Sequence, residues 1–284
     1  MRRRLTPYLM VLPGGLWLLA FFAVPLVMML SFSLMTGNII DGFRPTFHWQ
    51  NYTEGLERYG DKFVRSLWYG FLATCACIVL AYPASYWIAF RAGSRKSAYL
   101  LLLLLPFFVS FILRTVSWKF VLADNGIVLG TLKDWGLLPG DFHVLGTTFA
   151  VIAGLTYNFL PFMALPIYVA LERIDFRVVE AAQDLYASRV QTFLRVVLPL
   201  SLPGVFAGVI MTFIPISGDY VNADVLGGPD NVMIGNIIQT EYFTNSDYPT
   251  ASALSFTLMA ILLVGIFLYA RALGTEDVLE AAKR

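Results

Sequence analysis

Two groups of residues in this chain have the types and spacing to do chemistry, and in both the chemistry is recognition. The first is Ala181, Ala182 and Leu185, which fall at i, i+1 and i+4 in a stretch from Glu172 to Leu198 that holds no glycine or proline. Small side chains on one face of a short helix let it dock closely into a groove on another protein. The second is Asp219 with Tyr220, to which Trp118, Tyr157 and Arg114 can be added. A carboxylate beside aromatic faces suits an organic cation, each cation-π contact being worth about 0.5–2 kcal/mol. Blander readings stay open for this group. Asp219 can cap a helix, the aromatic residues can form an interfacial belt, and Arg114, Trp118 and Lys119 can be snorkelling anchors near the outer interface.

Bond-making chemistry is poorly provided for. Cys75 and Cys77 sit at a spacing that points their thiols apart on a helix, so no disulfide or thiolate metal site is expected. His48 and His143 fall at no metal-ligand spacing. No G-x-x-x-x-G-K-[ST] loop is present to cradle a nucleotide. The chain is therefore not expected to be an enzyme, to hold a cofactor or to bind nucleic acid.

The elements that must position these residues are membrane spans. Of the 284 residues 58% are hydrophobic and 14% charged, against about 25% charged in an average soluble domain. Apolar stretches near 8–34, 66–90, 98–122, 145–170, 203–222 and 250–273 each reach the ~20 residues a bilayer core requires. Six helical spans make an all-α integral membrane protein, read as a single transmembrane domain over residues 1–284, with both termini on one side. The first span follows Arg2, Arg3 and Arg4 and reads as an uncleaved anchor. Thirteen Lys and Arg residues fall in the N-terminus, the 91–96 loop, the 172–201 loop and the C-terminal tail, against five in the alternate segments. That asymmetry puts the first set and both termini in the cytoplasm. Acidic residues sort the other way, and Asp219 to Asp247 contains no Lys or Arg. An outer face of that kind attracts cations, although an ordinary solvated loop would look the same. The spans lack the buried acid or Lys pairs expected of an ion-driven carrier. A channel needing no partner remains a distinct alternative.

Within the 172–201 loop, Asp175 is placed to cap a first short helix. Apolar Val190, Phe193, Leu194 and Val197 continue a second after a turn near Tyr186 to Ser188. Pro199 and Pro203 are expected to interrupt the helix where the chain enters the fifth span. Gly154, Pro161, Pro166, Gly204 and Gly208 suggest bent, closely packed fourth and fifth spans.

With Tyr186, Val196, Leu198 and Pro199, the Glu180-Ala181-Ala182 run resembles the E-A-A loop of permease subunits of binding-protein-dependent ATP-binding-cassette importers. Tyr186 stands where that pattern has glycine. Leu113 to Lys119, Tyr157 to Met163, Ile216 to Val221, Leu226 to Pro229 and Ile234 to Asn236 narrow the likeness to the first permease subunit of spermidine/putrescine importers. The resemblance implies a type I importer permease fold in the inner membrane, with Glu180, Ala181, Ala182, Asp184, Leu185, Ala187 and Ser188 as the coupling surface. It also implies a second similar permease, two ATPase subunits carrying ATP and Mg, and an extracytoplasmic solute-binding protein. Related permeases carry amino-acid derivatives, phosphonates or ferric iron, so the loop alone leaves those cargoes open.

Overall fold

The computed structural model describes residues 11–272, in which helices predominate and one hairpin supplies the two strands. The two ends of the chain, including Arg2, Arg3, Arg4, Lys283 and Arg284, lie outside the described residues. Five helices are long and apolar enough to cross a bilayer, and a bent pair counted as one span makes a sixth. In chain order they are α1 (Val11–Ser33), α2 (Gln50–Arg91), the pair α3 (Lys96–Leu104) and α4 (Phe111–Val121), α6 (Thr148–Glu172), α8 (Arg189–Ser217) and α11 (Tyr248–Ala272). Shorter helices are α5 (Ile127–Asp134), α7 (Phe176–Asp184), α9 (Val221–Leu226) and α10 (Ile234–Gln239).

The chain divides into two compact units. In one, comprising the described residues up to Gly60 with Ile237–Leu263, strands β1 (Met35–Asn38) and β2 (Gly42–Pro45) pair antiparallel, Met35 opposite Pro45. Asn51 Nδ2 donates to the carbonyls of Ser33 (3.0 Å) and Met35 (2.9 Å), tying α1 to the start of α2. Buried Glu241 accepts from Tyr59 and from Asn245, so its carboxylate does not face the apolar surroundings bare.

The second unit, Asp61–Asn236 with the described residues from Val264 on, holds the candidate site. Its axis is the packing of α6 against the helical run of α8. Gly204 allows it: a Cβ there would meet the Ala170 Cβ and stand 2.5 Å from the Pro166 carbonyl oxygen. Gly208 fits against Met163 in the same way. Around this seam one apolar cluster joins Ala81, Tyr82 and Ile88 of α2 to Ile167 and Leu171 of α6, Val179 of α7 and Val197 of α8. A second joins Tyr69 and Ala73 to Val151, Leu155 and Phe159, Ile216 and Ala223. Cys77 is buried and donates weakly to the Thr156 carbonyl at 3.4 Å, while Cys75 is half-buried.

Three expectations need correction. The stretch 98–122 is not one straight span: after a 3₁₀ turn over Leu105–Phe108 the chain turns extended at Val109, and the two halves meet at 89°. Pro106 supplies part of the reason, since its ring cannot continue the ladder. Pro199 and Pro203 do not interrupt the fifth span either. A π-helical stretch over Phe193–Val197 precedes Pro199, which takes a first-turn position in Leu198–Ser217, and Pro203 lies inside that helix. The 172–201 loop is consequently shorter than expected, because the helical run of the fifth span starts at Arg189.

Candidate functional site

The coupling candidates lie on α7 and the turn that follows it. The Asp175 side chain accepts from the Arg177 amide at 3.0 Å and starts α7 as expected. Val179 is the residue of α7 that enters the core. That leaves Glu180, Ala181 and Asp184 exposed and Ala182 half-buried. The helix closes with the Leu185 amide on the Ala181 carbonyl and the Ala187 amide on the Ala182 carbonyl. Tyr186, between them, has φ +60°. The turn therefore takes the left-handed conformation that glycine favours, although a tyrosine occupies it. Ser188 then caps α8: its Oγ accepts from the Gln191 amide and its own amide donates to Gln191 Oε1, a reciprocal capping box. Leu185 is 82% and Tyr186 97% exposed. Two large apolar side chains thus stand at the tip of a rigidly capped helix pair.

The pathway candidates fall into two places. Arg114, Asp219 and Tyr220 line one open cleft of about 760 Å³, with Phe107, Phe111 and Phe159 among its walls. Trp118 and Tyr157 do not line it; their rings meet each other edge to face at 5.3 Å. Arg114 is not the exposed anchor that one sequence reading allowed, for it is only 7% exposed, whereas Lys119 is exposed. The bend between α3 and α4 turns Arg114 inward, so its guanidinium lies 5.6 Å from the Phe107 ring and 5.9 Å from the Phe111 ring. Its Nε and Nη1 are buried without a hydrogen-bond partner.

Asp219 follows the end of α8 and is 8% exposed. Its Oδ1 accepts from the Asn222 amide at 2.8 Å and from Asn222 Nδ2 at 3.2 Å. The capping reading is therefore realised together with the cleft position. The network runs on: Asn158 Nδ2 donates to Asn222 Oδ1 and to Thr115 Oγ1, both at 2.9 Å, and Thr115 bonds back to the Phe111 carbonyl. Asn158, Asn222 and Thr115 are each nearly inaccessible. One buried polar chain therefore locks α4, α6 and α9 together and fixes Arg114 and Asp219 in the same cleft. Among the described residues the ion pairs are Lys62–Asp61, Lys96–Glu172 and Lys133–Asp124, so Arg114 and Asp219 do not pair.

Sequence reasoning did not select Asn158, Asn222 or Thr115. A polar residue on an apolar helix was the available signal for Asn158. The motifs after Asp219 prove to be scaffolding: Asn236 Nδ2 holds the Tyr220 carbonyl at 2.9 Å, and Gly235 lets the backbone pass 2.5 Å from the Gly218 oxygen as measured from a Cβ position.

Comparisons with known proteins bear on the family and the fold. Residues 6–273 match the family described as binding-protein-dependent transport system inner membrane component. The spermidine/putrescine transport system permease protein PotB of Escherichia coli is 34% identical over 257 residues, covering 90% of this chain and 94% of that protein. Its Haemophilus influenzae counterpart is 35% identical, covering 90% of each. Among solved structures, a bacterial transporter for the import of alginate has a subunit similar at TM-score 0.72 and 18% identity, covering 97% of this chain and 96% of that one. The MetNI methionine transporter has one at TM-score 0.54 and 19% identity, covering 79% and 95%. These two likenesses are of fold.

Proposed function

Since the chain belongs to the family of inner-membrane components of binding-protein-dependent transport systems, we propose that it forms half of a translocation pathway for polyamines such as spermidine and putrescine. It is a multi-pass permease of the inner membrane, and catalysis of ATP hydrolysis belongs to partner subunits with their ATP and Mg. The assembly we envisage is one transmembrane domain from this chain, a second similar permease, two ATPase subunits and an extracytoplasmic binding protein. Both termini face the cytoplasm in this reading, which rests on the asymmetry of Lys and Arg.

The observation that carries the cargo reading is Asp219, a carboxylate fixed at an aromatic-walled cleft and paired with no cation among the described residues. Polyamines are multiply cationic, and the identity to PotB spans nearly the whole chain. Tyr220 supplies a ring at the same cleft. Trp118 and Tyr157, which do not line this cleft, offer aromatic faces elsewhere along the pathway. Arg114 repels a cation, and that opposition suits a conduit that must release what it holds.

Glu180, Ala181, Ala182, Asp184, Leu185, Ala187 and Ser188 form the surface against the ATPase. ATP binding closes the ATPase pair and draws the coupling helices together, and the driving free energy is the difference in nucleotide affinity between the two states.

Uptake of spermidine into proteoliposomes containing the whole complex tests the cargo site. Asp219→Asn keeps the acceptor for Asn222 but removes the charge, and should lower uptake about tenfold, the equivalent of a charge-assisted contact of roughly 1.5 kcal/mol. Wild-type uptake by this variant would remove Asp219 from the pathway. One observation favours a second reading: the unpartnered Arg114 nitrogens beside Asp219 also fit an amphoteric solute such as an amino-acid derivative. Arg114→Gln separates the two, since it should preserve or raise uptake of a pure cation and abolish that of an amphoteric cargo.

A further inference from the structure

Behind α7, between the last turns of α2 and the start of α8, lies a second cavity, of about 250 Å³. Its polar lining is Arg91, Gln183, Arg189 and Thr192. No carboxylate lines it, although the surrounding segment carries four. Glu172 is held by Lys96 at 3.5 Å and Asp175 caps α7, while Glu180 and Asp184 are exposed on α7 and do not line the cavity. Arg91 and Arg189, both exposed residues, therefore border one small space with no carboxylate in its lining. Thr192 is 3% exposed and its Oγ1 has no hydrogen-bond partner. A threonine inside a helix can satisfy that hydroxyl on the carbonyl one turn back; Thr74 and Thr212 leave theirs unpartnered as well, but Thr192 is the one of the three that lines this cavity, where an acceptor can reach it. Aromatic rings pack along its wall: Tyr86 lies 4.9 Å from Phe90 and 5.9 Å from Phe193, centroid to centroid.

We propose that this cavity binds a phosphate group, as a free phosphate or as the headgroup of an anionic phospholipid, through Arg91, Arg189 and the Thr192 hydroxyl. Guanidinium forks match tetrahedral oxyanions bidentately, and the hydroxyl adds a donor at the buried end. Because Val179 and Gln183 of α7 also line the cavity, an occupant bears on the back of the helix whose front carries Glu180. A filled site holds the coupling surface at a fixed angle.

The test uses the nucleotide-free assembled complex in a maltoside detergent, which contains no phosphate. Phosphatidylglycerol retention is read by native mass spectrometry, and inorganic phosphate binding by calorimetry, in wild type, in Arg91→Ala/Arg189→Ala and in Thr192→Val. Wild type should hold more of one probe than the double variant, and the probe that shows the difference names the source. Thr192→Val, which keeps every charge, should weaken the same binding about fivefold. Equal uptake of both probes by wild type and the double variant overturns the proposal. If the double variant does not assemble, unchanged affinity of Thr192→Val for both probes overturns it. No polyamine enters these measurements, so their failure is independent of the cargo reading.

Discussion

Tyr186 is the residue at which local chemistry and sequence pattern collide. Its backbone sits at φ +60° because the turn closing α7 requires it, and a side chain costs about 1–2 kcal/mol in that conformation. The ring touches almost nothing within the chain, being 97% exposed. Tyr186→Gly should therefore leave the complex as stable as wild type or up to about 1 kcal/mol more so, by thermal unfolding. It should nevertheless reduce ATPase stimulation, because the retained ring is then explained by contact with a partner. Unchanged stimulation would show that the tyrosine has no docking role. The cap at Asp175 and the turn near Tyr186 to Ser188 were legible, since capping depends on neighbours in sequence, but the second short helix was not, because it runs on as the fifth span. The role of Asn158 was not, because an amide in a span becomes a bridge only when Thr115 and Asn222 arrive from other helices.

At the scale of elements, hydropathy located the spans but not their direction. The stretch 98–122 is apolar throughout, and an apolar run carries no mark of an 89° turn. Proline misled in the opposite sense: Pro199 follows a π-helical stretch and opens the next helical ladder instead of ending one. The packing of α6 on α8 was better foreshadowed, as glycines in a span permit close approach. Gly204→Leu should be the more damaging of the simple substitutions in that seam, since its Cβ already meets the Pro166 oxygen and the Ala170 side chain. A loss of at least about 1–3 kcal/mol is expected from overpacking, read as a lowered melting temperature and a reduced yield of assembled complex. Gly265→Leu, where nothing lies within 4 Å of a Cβ position, is the control and should be nearly neutral.

For the whole molecule, the charge reversal Glu180→Lys addresses energy transfer between subunits. Glu180 is exposed and makes no bond that holds α7, so the variant should insert and fold normally. Binding-protein-stimulated ATPase activity and uptake should both fall at least tenfold, the scale of losing one charged interfacial contact. Normal uptake and stimulation would place the coupling surface elsewhere. The broken third span has its own consequence. Where α3 ends and α4 begins, Ser110 makes no side-chain cap, and helix termini leave carbonyl and amide groups without intrahelical partners. Those dipoles belong to every amino acid alike. At this cleft wall the Val109 amide is taken by the Pro106 carbonyl and the Ser110 carbonyl by the Arg114 amide, which leaves the Val109 carbonyl and the Ser110 amide to hold water under any side chain but proline, and substitution scanning will find that hold silent. Lining residues can then diverge to suit a new cargo without drying the route through which that cargo passes.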